Sequence, residues 1–298
     1  MGSFFAIASY AIDAAINYID KFLLSKYILH PTIITVYSGF MAVVASFFII
    51  LFTGFHKIDT KSLLIIVSSG LLTEMILLPY FKALTLDETS RVVPLFQFVP
   101  VIVIALSTII LHEHFLLKQF IGAVIIILAG FLLSVKKIES RIFTIRPALW
   151  YMLLASFFSA LAIILFKLGL HDIGFWSALP YEGFGIGLGA VLIFLYPSNT
   201  REILTITRKL PKKVFFLLSL GEFIYILSRY TRYFAISLIA ASIVSVLSGF
   251  QPFFVLVYGL LLSIYFPKAI KEVLSKGTLS LKIGATVSIF IGLYLIFL

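Results

Sequence analysis

The chain contains no cysteine, which excludes disulfides, thiolate catalysis and cysteine-ligated metals. Charge is scarce as well, at 12% of 298 residues, about half the share found in soluble globular chains. Long polar stretches are missing, so no soluble catalytic or nucleic-acid-binding domain has room to fold. Evenly spaced alternating segments of about ten residues are also missing, which argues against a membrane β-barrel. No Gly-xxxx-Gly-Lys-Ser/Thr pattern occurs, so this chain alone is not expected to drive a pump with ATP. The segment from Met1 to Tyr10 has no basic residue ahead of its apolar run, and no removable signal peptide is expected there.

What remains is apolar: 61% of residues are hydrophobic and the mean hydropathy is +1.15. This is the composition of an integral membrane protein. Apolar runs broken by charges and prolines predict ten spans, at about 4–26, 33–54, 62–84, 89–111, 118–135, 148–168, 175–196, 213–236, 239–266 and 279–298. Most reach the roughly 20 residues needed to cross the hydrocarbon layer. The expected fold is therefore all-α, with Pro197 to Lys213 as the longest loop before the last third. A net charge of +10 fits loops that set topology and touch anionic headgroups, and nucleic acid is not an expected partner.

The basic stretch Lys136 to Arg141 divides the chain almost evenly, and the two sides match in order. Tyr37-Ser-Gly-Phe40 answers Tyr181-Glu-Gly-Phe184, and Lys21 answers Lys167. Tyr80 to Leu106 aligns without gaps on Arg232 to Tyr258, pairing Ser90 with Ser242, Phe98 with Phe250 and Pro100 with Pro252. Ile121-Gly122-Ala123 with Gly130 answers Ile283-Gly284-Ala285 with Gly292. These matches predict two five-helix repeats, 1–140 and 141–298. An odd number of spans per repeat inverts one half relative to the other, the arrangement that permits alternating access.

These residues resemble the drug/metabolite transporter superfamily, in particular its ten-helix EamA-type members. The resemblance rests on Tyr80-Phe-Lys-Ala-Leu84, Val93-Pro94 to Pro100, Leu111-His-Glu113 and Gln119-Phe-Ile-Gly122-Ala to Gly130, with Lys21 and Lys167 late in spans 1 and 6. The second half departs from the pattern: it has no acid answering Glu113, and Ser263 to Lys282 forms a longer basic connection. The resemblance implies transport of a small molecule and a Glu113 that closes the turn between spans 4 and 5. It also implies both termini inside the cell. Positive charge points the other way, since seventeen of the 23 Lys and Arg residues follow odd-numbered spans, which by the positive-inside rule puts both termini outside the cytoplasm.

Ionisable groups at membrane depth are costly unless they face a cavity or a partner. Span 1 carries Tyr10, Asp13, Asn17 and Asp20 at spacings of 3, 4 and 3, all on one helical face. Asp13 and Asp20 are candidates to take up a proton or bind an amine, although Asp20 could also sit at the interface beside Lys21. Span 3 brings Glu74, and span 8 brings Glu222, Tyr225, Arg229 and Arg232. Arg229 could hold an anionic group or form an internal pair with Asp13 or Glu74; Arg232, nearer the helix end, reads as an interfacial anchor. Asp13, Asn17, Glu74, Glu222, Tyr225 and Arg229 form the expected substrate and proton site.

Glu182, beside Tyr181 and Pro180, is a further gate or pathway candidate. The run Gly183, Gly185, Gly187 and Gly189 reads first as helix packing. Ser90, Pro94 and Gln97 in span 4, with Ser242, Ser245, Ser248, Gln251 and Pro252 in span 9, place polar groups and helix breaks where a cavity could use them. The adjacent alternation in His112-Glu113-His114 splays its ligands, unlike His residues four apart on one face, so neither metal nor cofactor is expected.

The function these residues point to is secondary transport of a small polar metabolite, an amino acid or related organic ion. Such transport would be proton-coupled efflux by alternating access in the inner cell membrane. A lipid-headgroup flippase is the alternative, and a membrane-embedded enzyme on lipid-linked substrates a more remote one. Oligomeric state is left open.

Overall fold

The computed structural model describes residues 1–27, 31–86, 92–114, 116–134, 147–207, 210–265 and 276–297. Among these it contains helices and no strands. In chain order they are α1 (Gly2–Tyr27), α2 (Pro31–Thr53), α3 (Thr60–Leu86), a 3-10 turn at Val93–Gln97 leading into α4 (Phe98–Ile110), and α5 (Leu117–Ser134). Then follow α6 (Pro147–Gly169), α7 (Phe175–Leu195), α8 (Pro197–Thr207), α9 (Lys212–Leu238), α10 (Ala241–Val246), a 3-10 turn at Leu247–Phe250, α11 (Gln251–Tyr265) and α12 (Lys276–Phe297). Among the described residues, six stretches are long and apolar enough to cross a membrane: α2, α3, α6, α7, α9 and the α10–α11 run Ala241–Gly259. Shorter apolar windows lie in α4, α5 and α12. The chain is an all-α, multi-pass membrane protein.

Local chemistry explains several boundaries. Asp59 starts α3: one carboxylate oxygen accepts the backbone N–H of Lys61 at 2.9 Å and of Ser62 at 3.0 Å. This is an N-cap, and hydrogen bonds from Ser62 hold the Asp59 carboxyl below the usual carboxylate range. Pro197 to Lys213, expected as a loop, forms an 11-residue helix over most of its length. Proline suits a first helical position because its missing N–H is unneeded there. Asn199 and Thr200 reach back to the carbonyls of Ile193 and Phe194 at the end of α7.

The chain then breaks twice, after Leu238 at the expected boundary between spans 8 and 9, and again inside span 9 at Leu247–Phe250, just ahead of Pro252. The second break has a counterpart: the 152-residue offset that aligns Tyr80 with Arg232 places 95–98 on 247–250, and both are 3-10 turns or their ends. Helix pairing is exchanged in the same way. α1 packs along α9 as α6 packs along α3; α2 pairs with α7, α5 with α12, and α1 meets α11 as α6 meets α4. The boundary expected at 140/141 lies outside the described residues.

Close approach is built from glycine. A Cβ on Gly122 would lie 2.5 Å from the Gly292 carbonyl oxygen, and one on Gly292 would lie 2.7 Å from that of Gly122. That approach packs a small cluster of Ala123, Ile126, Val246 and Ile296, and two larger apolar layers lie beside it. One includes Ala6, Ile66, Ile164, Phe166 and Ile236; the other joins Leu23, Phe81, Met152, Val214 and Leu218. The first collects the start of α1 and the end of α9, the second the end of α1 and the start of α9, so they mark opposite ends of the bundle.

Candidate functional site

A cavity of about 150 Å³ lies where these layers meet, lined by α1, α2, α3, α6 and α9, the α4 region and the break before α11. Both halves of the chain contribute. The polar face of α1 turns into it as its spacing requires: Tyr10, Asp13, Asn17 and Asp20 all line the wall. Asp20 thus faces the cavity instead of the interface. Opposite them α9 presents Glu222, Tyr225 and Arg232, and the broken segment presents Ser248 and Gln251. Apolar side chains of Ile34, Leu77, Phe81 and Phe96 complete the enclosure.

Asp13 and Arg232 form an ion pair, with Nη1 2.5 Å from Oδ2, and both side chains are largely buried, 12% and 17% exposed. The Ser228 hydroxyl lies 2.5 Å from the other Asp13 oxygen. The Arg232 guanidinium also stands 5.8 Å from the centre of the Tyr10 ring, within cation–π range. Arg232 is therefore a wall residue of the cavity. Although Arg232 lies near the helix end, its Asp13 partner on α1 holds it in the cavity wall and not at the interface.

Asp13, Asn17, Glu222 and Tyr225, four of the six expected site residues, come together here. Glu74 and Arg229 do not line this cavity. Arg229 is buried behind it, its Nε 3.7 Å from Glu182 Oε2, with the rings of Tyr225 and Tyr230 at 5.9 and 5.3 Å. Its partner is Glu182, not Asp13 or Glu74. Glu182 accepts the Tyr233 hydroxyl at 3.0 Å, and Tyr233 lies 3.2 Å from Thr73 Oγ1. Glu74 is 1% exposed, between α2 and α7, where Gly39 and Gly189 make room for it. Neither Glu74 carboxyl oxygen has a hydrogen-bond partner.

Several cavity groups are also unpartnered. Glu222 Oε2, Asn17 Nδ2 and Ser248 Oγ are buried atoms without a hydrogen bond, while the Ser38 hydroxyl bonds the Glu222 carboxyl. Buried polar atoms are normally satisfied, so three orphans on facing walls of one cavity mark a place where a further polar group would be accommodated. Tyr10, Asp20, Ser38, Tyr80 and Arg232 complete the site beyond the six expected residues; the stripe on α1 already pointed to the first two.

The ends of the discontinuous segment are fixed from the other helices. Glu113, at the turn after α4, accepts the N–H of Ala241 at 2.8 Å and of Ser242 at 3.2 Å, and also the Ser242 hydroxyl. Lys167 of α6 donates to the carbonyls of Ile236 and Ile239 at 2.7 and 3.0 Å. Glu113 was expected to close its own turn; instead it caps α10 in the other half. His112 makes this reach with a left-handed backbone, φ 53°. Ser242 is thereby occupied at the cap instead of in the cavity. Ser90 and the Pro94 side chain lie outside the described residues.

Residues 1–135 match the EamA-like transporter family, part of the drug/metabolite transporter superfamily. A solved crystal structure of a protein aligns over 99% of the chain and 94% of its own length, with a TM-score of 0.67 and 14% identity. At that identity the likeness concerns the fold. It covers both halves of the chain, including 136–298, beyond the residues matched by the family. A search of curated proteins found no match. EamA family members are membrane transporters; of the cavity residues described above, Tyr10, Asp13, Asn17, Asp20 and Tyr80 lie within the matched segment, whereas Glu222, Tyr225 and Arg232 lie beyond it.

Proposed function

We propose that the chain is a secondary transporter of a small polar metabolite, an amino acid or related organic ion, in the inner cell membrane. The observation that carries this reading is the polar cavity shared by both halves and bounded by two apolar layers. A site so placed can be reached from either face if one layer opens while the other stays packed. The exchanged helix pairings support treating 1–140 and 141–298 as two inverted units that rock against each other.

Proton coupling follows from the same wall. Asp13, Asp20 and Glu222 bring three carboxyls to a cavity where Arg232 is the one cation among the described lining residues, an excess of acid that favours proton uptake or a positively charged substrate. Efflux would then exchange substrate against protons. The test is transport by the purified chain in liposomes under an imposed pH gradient. Asp13→Asn and Glu222→Gln keep shape and are expected to abolish gradient-driven transport, Glu222→Gln with intact folding and Asp13→Asn with reduced stability because it strands Arg232; full transport with unchanged pH dependence in both variants sinks this mechanism.

A further inference from the structure

We infer that the cavity selects an organic cation, a protonated amine on a compact apolar body, over zwitterions and anions. This narrows the transport reading, setting the zwitterionic amino acid aside in favour of a related organic ion, and rests on the cavity being the substrate site.

The charges decide it. An anionic or zwitterionic ligand needs a cation free to receive its carboxylate. Arg232 is committed to Asp13 at 2.5 Å and stacked near Tyr10. Arg229 lies outside the cavity lining, 3.7 Å from Glu182 and ringed by Tyr225 and Tyr230; its Nε and Nη2 make no hydrogen bond, but they are buried away from the space a ligand would fill. The carboxyls on the wall are in the opposite condition. No ion pair among the described residues includes Asp20 or Glu222, and both line the cavity. Glu222 is 8% exposed with Oε2 unpartnered, an acceptor aimed into the space.

The remainder of the lining suits an ammonium group carrying an apolar body. Ser248 Oγ is another unpartnered acceptor. Tyr80, Phe81, Phe96 and Tyr225 supply ring faces and edges, and aromatic faces attract cations. Leu77, Ile34 and Ile76 give the apolar body its contact. A volume of about 150 Å³ limits that body to roughly one ring or a short chain.

Three probes that share a phenyl body separate the charge types: 2-phenylethylamine as cation, phenylalanine as zwitterion and 3-phenylpropionate as anion. Titration calorimetry on the purified full chain in detergent is expected to rank the amine tightest by about tenfold or more. Asp20→Asn and Glu222→Gln are each expected to weaken the amine by about tenfold, as loss of a buried charge partner does. Equal or tighter binding of phenylalanine or phenylpropionate overturns the inference, as does absence of saturable amine binding or unchanged amine affinity in the double variant. Leu77→Trp, which fills the cavity, separates the two readings. If it removes binding of a tighter zwitterion or anion, the cavity stands and the charge selection fails. If amine binding is undiminished in Leu77→Trp, the cavity itself is not the site.

Discussion

Glu113 Oε1 accepts the backbone N–H of Ala241 at 2.8 Å, across a sequence separation of 128 residues. Lys167 binds carbonyls at the end of α9 in the same break. A carboxylate thus meets a helix N-terminus and an ammonium a helix C-terminus, the sign each dipole favours. The pair supplies what the interrupted backbone lost at Ile239 and Ala240. Glu113→Ala is expected to cost about 1–3 kcal/mol, the range for a charged cap. Glu113→Gln should cost less, because its amide oxygen still accepts a hydrogen bond. Thermal unfolding of the purified variants checks the order Ala below Gln below parent.

The Asp13 to Arg232 pair gives a prediction of a different kind. Removing one partner of a buried ion pair leaves an uncompensated charge, at about 3–5 kcal/mol, while replacing both is far milder. Asp13→Ala and Arg232→Met should therefore each destabilise more than the double variant. A thermal-unfolding cycle over the four proteins measures this. Additive losses would mean that the two groups act independently.

Glycines in α3 and α7 set the separation of those helices. A Cβ on Gly70 would fall 2.0 Å from the Glu182 carbonyl oxygen, and one on Gly185 2.2 Å from that of Val67. Backbone atoms cannot yield as a flexible side chain does, so Gly70→Ala and Gly185→Ala should force the helices apart and lower stability by about 1–3 kcal/mol or more. Gly284 has open space around it. Gly284→Ala should be neutral or slightly stabilising through helix propensity, and melting temperatures of the three variants make the comparison.

Part of this organisation was legible in the residues. The stripe Tyr10, Asp13, Asn17 and Asp20 reads directly as one face because helical spacing alone fixes it. The repeat carried further, since the 152-residue offset located matching breaks near Gln97 and Gly249. What spacing does not contain is the direction of each face in the bundle. Glu74 has the right depth, but at 100° per residue it sits roughly a quarter-turn from the cavity face of Ile76, Leu77, Tyr80 and Phe81. Arg229 is on the correct side of α9, yet its long side chain follows Glu182 on another helix. Glu113 shows the same limit: its turn was evident, whereas its partner in the other half is tertiary information.

The orientation can be settled in this cysteine-free chain. The start of α1 and the 54–59 connection lie at one end of the bundle, and the start of α9 at the other. With seventeen of 23 basic residues following odd-numbered spans, the positive-inside rule puts the α9 start in the cytoplasm and the 54–59 connection outside. In intact cells a membrane-impermeant maleimide is expected to label Lys57→Cys and to spare Thr207→Cys. The reverse pattern would place the termini inside, as the EamA resemblance implies.

Arg229 offers the last prediction, because its geometry separates an anion-binding role from an internal one. A guanidinium that received substrate would line the cavity, and substitution would act mainly on ligand affinity. Arg229 is instead 1% exposed, paired with Glu182 and enclosed by Tyr225 and Tyr230. Lysine keeps the charge but loses the planar stacking surface and the delocalised set of donors. Arg229→Lys should therefore lower stability, by about 1–2 kcal/mol for the lost ring contacts and geometry, and leave the relative preference among charged ligands unchanged. Arg229→Met should be worse alone than with Glu182→Gln, since the second change removes the stranded carboxylate. Unfolding and ligand titration on the same samples make the distinction: an Arg229→Lys protein of parental stability that selectively loses anion binding would return this residue to the substrate site.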